Sequence, residues 1–288
     1  WNSQFILGNK VVRRITAYLD DAETVGNPYP LLQNADKSFI GSYVLGMGFI
    51  LEPHYAAKLI ERNPKNKDVL FPYLNGEDLN TNPDQSPSRW VISFFDRSEE
   101  ECRKEYPDCF EIVERLVKPQ RLINNDRVAR EKWWQFLRMR PELYRKIRPL
   151  DKILIGARVS KYCLFSFFRS NVVFSEQTVV LTNQDLSFFP LVNCTLHEIW
   201  SWKYCSTMGG STLRYTPSDC FETFPFLQNP VPEIESLLEK IGEKYHDHRK
   251  QLMLKMQLGL TKTYNQFHNK QLSIINDNLT ENDIEKKY

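Results

Sequence analysis

Arginines, carboxamides and small hydroxyls gather at two turns of this chain: Arg158-Val159-Ser160-Lys161 and Met208-Gly209-Gly210-Ser211-Thr212-Leu213-Arg214. Asn183-Gln184 marks a third. These side chains share one kind of chemistry. An arginine fork pairs with the acceptor edge of guanine, and an asparagine or glutamine amide pairs with adenine, through two hydrogen bonds in the major groove. A glycine pair lets a backbone come close to a phosphate or a base edge. Taken singly, each stretch reads first as an ordinary turn.

Other chemistry is missing from the sequence. No phosphate loop of the form G-x-x-x-x-G-K-[ST], no H-E-x-x-H, no G-x-S-x-G and no Rossmann glycine fingerprint occurs. His197-Glu198 resembles the start of a zinc helix, but the position four after His197 is Ser201, so His197 reads as a hydrogen-bonded helix histidine. His246 and His248 lie two apart on an expected helix and cannot face one metal together. Glu77, Asp78, Asp108 and Glu111 have no evident partner acid. The adjacent Trp133 and Trp134 can stack on bases, though such pairs more often anchor a core. The six cysteines form no C-x-x-C pair and no zinc-type cluster, so they read as free thiols in a reducing, cytoplasmic setting.

The elements that must position these groups follow from periodicity. Tyr162–Phe168, Ile153–Ala157, Val172–Phe174 and Thr178–Thr182 are short β-branched or aromatic runs between polar turns, hence strands. Ile6–Ile15 reads as a short strand or helix, and Phe39–Leu51, with glycines at 41, 46 and 48, as a hairpin, a bulged strand or a place where another backbone comes close. Val69–Phe71 and Trp90–Phe95 flank a loop crowded with carboxylates and carboxamides at 75–80. Helices are expected over 52–62, over 99–118 with a break at Pro107, over the basic stretch 121–148 with a break at Pro141, and over 191–204. After Pro232 two apolar stripes, Ile234 to Tyr245 and His248 to Leu258, predict a helical hairpin with Gly259 as a C-cap. The residues from 275 to 288 are polar and charged.

Net charge is only +2, yet between Arg121 and Arg169 thirteen bases face four acids. A basic segment in a nearly neutral chain is the footprint of a polyanion-binding face, or else a set of solvated helix faces. No apolar run approaches membrane-spanning length, so no membrane partner is expected. The chain opens at Trp1 without a methionine and reads as a piece of something longer.

Several blocks, in order, carry a family resemblance. They are SFIGSYVLGMGFIL at 38–51, NPKNKDVLFPYLNGEDLN at 63–80, PDQSPSRWVISFFD at 83–96 and YPDCFEIVERLVKP at 106–119. WWQFLRMRPELY at 133–144, ARVSK at 157–161, LRYTPSDCFETFPF at 213–226 and LTKTYNQFH at 260–268 complete the set. Together they resemble the target-recognition region, with part of the C-terminal helical domain, of MmeI-like type II restriction-modification enzymes, which are adenine-specific DNA methyltransferases.

The resemblance implies an α+β fold: a mixed or antiparallel recognition domain over 1–228, then a small helical domain over 229–288. It implies sequence-specific binding of double-stranded DNA, with no catalysis and no cofactor in this chain. Methylation of adenine N6 from S-adenosylmethionine, and any Mg2+-dependent cleavage, would belong to other domains. Those are a methyltransferase domain of the same or a partner chain and, where present, a nuclease. Asn27-Pro28-Tyr29-Pro30 is only an echo of the family's Asn-Pro-Pro-Tyr adenine pocket. On this basis Ser211, Thr212 and Arg214 are the first base-reading candidates, followed by Arg158, Ser160 and Lys161 at base or phosphate. Lys203, Arg130, Lys132 and Arg138 are phosphate candidates, which position without specifying. The acidic 75–78 turn reads as a structural loop or a seam with the methyltransferase domain. A stand-alone specificity subunit acting in trans and, further off, an independent hydrolase using His197 or an acidic pair are the rival readings.

Overall fold

The structure, a computed structural model, describes residues 5–13, 15, 21 and 26–269. The expected polar tail from 275 onward lies outside them, as does part of the Ile6–Ile15 segment.

The chain opens with a small hairpin, β1 (Phe5–Leu7) and β2 (Lys10–Val12). Then come β3 (Ser38–Ile40), β4 (Ile50–Leu51), α1 (Pro53–Arg62), β5 (Leu70–Leu74), α2 (Gly76–Thr81) and β6 (Arg89–Ile92). A helical run follows: α3 (Glu99–Glu105), α4 (Pro107–Leu116), α5 (Lys118–Leu122), α6 (Arg127–Glu131) and α7 (Pro141–Ile147). Next are β7 (Lys152–Ala157), β8 (Val159–Ser160), β9 (Phe165–Arg169), β10 (Val173–Phe174) and β11 (Thr178–Leu181). The last elements are α8 (Phe188–Val192), α9 (Thr195–Tyr204), β12 (Ser206–Met208), β13 (Thr212–Arg214), α10 (Pro232–Met256) and α11 (Leu260–Phe267). The architecture is α+β.

Two four-stranded sheets make the frame. One has the order β10-β5-β6-β4, with β10 parallel to β5 and the other pairs antiparallel. The other, β3-β11-β7-β9, is antiparallel throughout. In the second, alternate side chains of a strand enter different cores, as the pleat requires. Ile153 and Ile155 of β7 pack with Leu74, Leu79, Leu143 and Ile147, whereas Leu154 between them packs with Phe189, Leu213 and Phe221. The first sheet carries its own core with α1, α3 and α4, centred on Phe49, Phe94 and Phe110.

Several elements depart from the sequence expectation, each for a local reason. The 39–51 stretch is not a hairpin: β3 joins β11 while β4 joins β6. The close backbone approach expected there is present at Gly41, where a Cβ would lie 2.1 Å from the Ser175 carbonyl oxygen. The basic stretch 121–148, expected as a helical stretch broken at Pro141, does start a helix at Pro141 (α7), but before it only the end of α5 and the short α6 are helical. The expected 191–204 helix is two, α8 and α9, separated at Asn193-Cys194. The two C-terminal stripes form one continuous α10, ended by Gln257 in the left-handed conformation (φ +52°). Gly242 lets α10 pack closely where it crosses the entry to α8, because a Cβ there would meet the Leu186 carbonyl at 2.1 Å. Gly259 is the N-cap of α11 rather than a C-cap.

Charge is also placed differently from the simple basic-face reading. Arg121 is buried, donating from Nε to the Leu45 carbonyl (2.7 Å) and from Nη2 to those of Val44 (2.8 Å) and Gln135 (3.0 Å). Burial lowers its pKa to about 10. Trp133 is buried against Phe110, and Trp134 donates its indole N–H to the Arg97 carbonyl, so both tryptophans serve the core. Arg249 of α10 is likewise buried, donating to the Phe165 carbonyl (2.7 Å) and Ser166 Oγ (3.0 Å) of β9. Of the six cysteines expected as free thiols, Cys205 and Cys220 are joined as a disulfide, their Cα atoms 6.3 Å apart. The end of α9 and the 216–224 turn lie side by side, within the usual span of such a bridge. Cys102, Cys109, Cys163 and Cys194 stay free.

Candidate nucleic-acid interface

A separate three-stranded sheet, β12-β13-β8, carries the two turns singled out in the sequence. β13 is its centre. Leu213 stands opposite Ser160 and Arg214 opposite Val159, while on the other side Ser206 faces Arg214 and Met208 faces Thr212. The stretches at 158–161 and 211–214, about fifty residues apart in the chain, are therefore neighbours on adjacent strands.

The β12–β13 connection turns through Gly209 (φ +62°) and Gly210 (φ +75°). Side chains other than glycine rarely adopt this backbone. A Cβ at either glycine would meet nothing within 4 Å, so the tip stands clear of the rest of the protein. Ser206, Thr207, Met208, Ser211 and Arg214 are exposed and Thr212 half-buried. Leu213, between Thr212 and Arg214, is buried.

Below the sheet lies a polar anchor. The Tyr215 backbone N–H donates to the Arg158 carbonyl (2.7 Å). The Tyr215 hydroxyl is 3.1 Å from Nε2 of His197, and His197 Nδ1 is 2.7 Å from the Val192 carbonyl oxygen. Because that carbonyl can only accept, Nδ1 carries the proton and Nε2 accepts from Tyr215. Burial lowers the His197 pKa to about 4. Sealed and bonded at both nitrogens, His197 is a structural strut and does not offer the free imidazole that a hydrolase using it would need.

The remaining base-reading candidates differ in freedom. Arg158 is half-buried; its N–H donates to the Gln177 carbonyl (2.7 Å) and its Nε is buried without a partner. Its guanidinium pKa is lowered by burial first, then by the charges of Arg214 and Arg140, with Glu176 opposing. Ser160 is half-buried, its Oγ accepting weakly from the Tyr162 N–H (3.4 Å). Lys161 is exposed but engaged: its ammonium donates to Asn265 Oδ1 of α11 (2.7 Å), which also accepts from the Tyr162 hydroxyl (3.0 Å). Tyr162 in turn stacks on His268, ring centroids 5.1 Å apart. The β12-β13-β8 sheet is thus strapped to α11.

The phosphate candidates are all exposed but do not form one cluster in the chain. Arg130 caps its own turn, donating to the carbonyls of Asn124 (2.6 Å) and Asn125 (3.0 Å). Lys132 follows α6. The Arg138 backbone exchanges hydrogen bonds with Tyr43 (3.0 and 3.1 Å), and Lys203 on α9 lies 5.4 Å from the Tyr204 ring centroid.

Arg140, two residues beyond Arg138, is the residue sequence reading passed over. It is exposed, sits in the left-handed conformation (φ +58°, ψ +53°) and starts α7. The available signal was Arg140-Pro141, since a residue before proline is barred from the ordinary helical conformation.

The acidic 75–78 turn lies elsewhere. Asn75 Oδ1 caps α2 by accepting from the Asp78 N–H (2.9 Å), and Asp78 is buried with Oδ2 unpartnered. α2 is wedged between β7 and α11. A Cβ on Gly76 would come to 3.1 Å from the Gln177 carbonyl oxygen, and one on Gly259 to 2.4 Å from the Thr81 backbone. The turn is therefore built into the packing of this chain, between β7 and α11. Among the described residues no group of three or more His, Cys, Asp or Glu side chains could hold a metal ion, and no helix is long and apolar enough to cross a membrane.

Comparison with known proteins gives a consistent picture. No curated protein matches. The solved structure of the type IIL restriction-modification enzyme MmeI in complex with DNA superposes with a TM-score of 0.67 at 18% identity, over 84% of this chain and 32% of that one. The chain thus spans about a third of that enzyme's length, and at this identity the likeness is one of fold. The model of the MmeI target recognition domain matches residues 30–228, which include both turns of the β12-β13-β8 sheet. With most of its length matched by that model, this chain belongs to the MmeI target-recognition-domain family.

Proposed function

We propose that this chain binds double-stranded DNA and selects its sequence, on behalf of a type II restriction-modification enzyme. The observation that carries the reading is the union of 158–161 and 211–214 on one open sheet, inside the family-matched residues. Its hairpin tip projects from a buried base, and its outward side chains are of the kinds that read base edges. The DNA-bound state of the MmeI structure supports duplex DNA as the ligand.

In this reading Arg214, Ser211 and Thr212 meet bases. Arg158 and Ser160 lie beside them at base or phosphate. Lys161 is held at the edge by Asn265. Arg130, Lys132, Arg138 and Lys203 contribute phosphate contacts that set register. Methyl transfer to adenine from S-adenosylmethionine, and any Mg2+-dependent cleavage, are assigned to a methyltransferase domain and a nuclease with which this chain works.

Selection from a randomised duplex pool, followed by salt titration, tests the proposal. A single enriched motif is expected, with log affinity falling linearly as log salt rises. Absence of any duplex binding at low salt, even with the methyltransferase domain joined, would sink it.

A further inference from the structure

A chain of backbone contacts links Arg140 to the reading sheet. Ser42 Oγ donates to the Met139 carbonyl (3.0 Å), and the Glu176 N–H donates to the Ser42 carbonyl (2.9 Å). The Arg158 N–H donates to the Gln177 carbonyl (2.7 Å), and the Tyr215 N–H to the Arg158 carbonyl (2.7 Å). Arg140 follows Met139, Gln177 follows Glu176, and Arg214 precedes Tyr215. The stitch therefore brings the backbone at 139, 158, 176–177 and 215 together, and the charges of Arg214 and Arg140 both bear on the Arg158 guanidinium, with Glu176 as the opposing acid.

That acid does not neutralise them. Among the described residues the side chains of Arg140 and Arg214 have no hydrogen bond and no ion pair, and Arg158 keeps a buried, unpartnered Nε. Three converging guanidiniums repel one another unless a full negative charge lies between them. A base edge offers only partial charges, whereas a phosphate offers a whole one in the geometry an arginine fork matches. The left-handed backbone of Arg140 fits the same view, because strained residues collect where a side chain must be aimed.

We infer that Arg140 and Arg158 hold one backbone phosphate of the duplex between them, beside the base pair that Arg214 faces. The inference rests on the proposed reading of DNA and adds to it a residue, Arg140, and a division of labour. Arg214 specifies, and the pair behind it sets the depth of the hairpin in the groove.

Salt titration of duplex binding by the parent chain, Arg140→Ala and Arg140→Lys tests it, on the pool-selected duplex and on a scrambled one. Arg140→Ala should weaken both duplexes alike, by about tenfold at physiological salt, and reduce the log–log salt slope by about 0.9. The selected motif should not change. Arg140→Lys should restore the slope and only part of the affinity, since a point charge replaces a fork. An unchanged slope for Arg140→Ala, or a loss confined to one base position, overturns the inference while leaving the functional reading in place. A parent chain that binds no duplex removes both.

Discussion

The Tyr215 hydroxyl donates to Nε2 of a fully buried His197 at 3.1 Å, so the residue after Arg214 is pinned to a neutral imidazole. The pin has a pH signature. The His197 pKa, about 4, lies below its ordinary value, so the unfolded chain binds the proton more readily than the folded one. The stabilisation is fully present above about pH 6.5 and is lost as pH falls towards 4, by on the order of 3 kcal/mol. Urea unfolding at pH 7 and pH 4.5 should show this component in the parent and not in His197→Gln. Equal pH dependence in the two chains would contradict it.

Arg214→Ala should relax one position of the selected motif, at about 1–3 kcal/mol if the fork reads a base edge. Its exposure predicts an unchanged unfolding midpoint. Selection from a randomised pool is the measurement, and a motif as sharp as the parent's would show that Arg214 is not a reader.

Arg121→Leu should destabilise the fold by about 3 kcal/mol, because three backbone carbonyls lose a charged donor in a buried place. Duplex affinity of the folded fraction should hold. Denaturant unfolding set beside binding separates this structural base from the solvated ones, and a change in salt slope would count against the separation.

Gly259→Ala should displace α11 from α2, since the added carbon would lie 2.4 Å from the Thr81 backbone. A cost of about 1–3 kcal/mol is typical for overpacking of this kind. Amide exchange should quicken in 260–267 first. Protection equal to the parent's would mean that the seam adjusts freely.

The strands around 153–181 were legible because their β-branched and aromatic runs have strand length and polar turns at both ends. The start of α1 was legible because Pro53 is free to occupy a first helical position. What escaped depended on partners distant in sequence. Nothing local announces that Arg121 will find the carbonyls of Val44 and Leu45, that Cys205 will meet Cys220, or that Gly259 must clear Thr81. The two C-terminal stripes suggest a hairpin, yet α10 runs through both, and its close packing on Leu186 at Gly242 is a contact that no local pattern announces. The turns at 158–161 and 208–214 were each visible, but their adjacency was not, since it is a matter of the β13–β8 register. Arg140 was hidden for the same reason.

The alternation along β13 has an evolutionary consequence. Thr212 and Arg214 look outward while Leu213, between them, plugs the core, and the glycine tip beyond touches nothing. Exchanges at the outward positions leave the plug and the Tyr215 pin intact. If, as proposed, the outward positions read DNA, a lineage can trade one target sequence for another by single substitutions, passing only through folded intermediates. Selection on stability would then be nearly blind to the residues that selection on specificity acts upon.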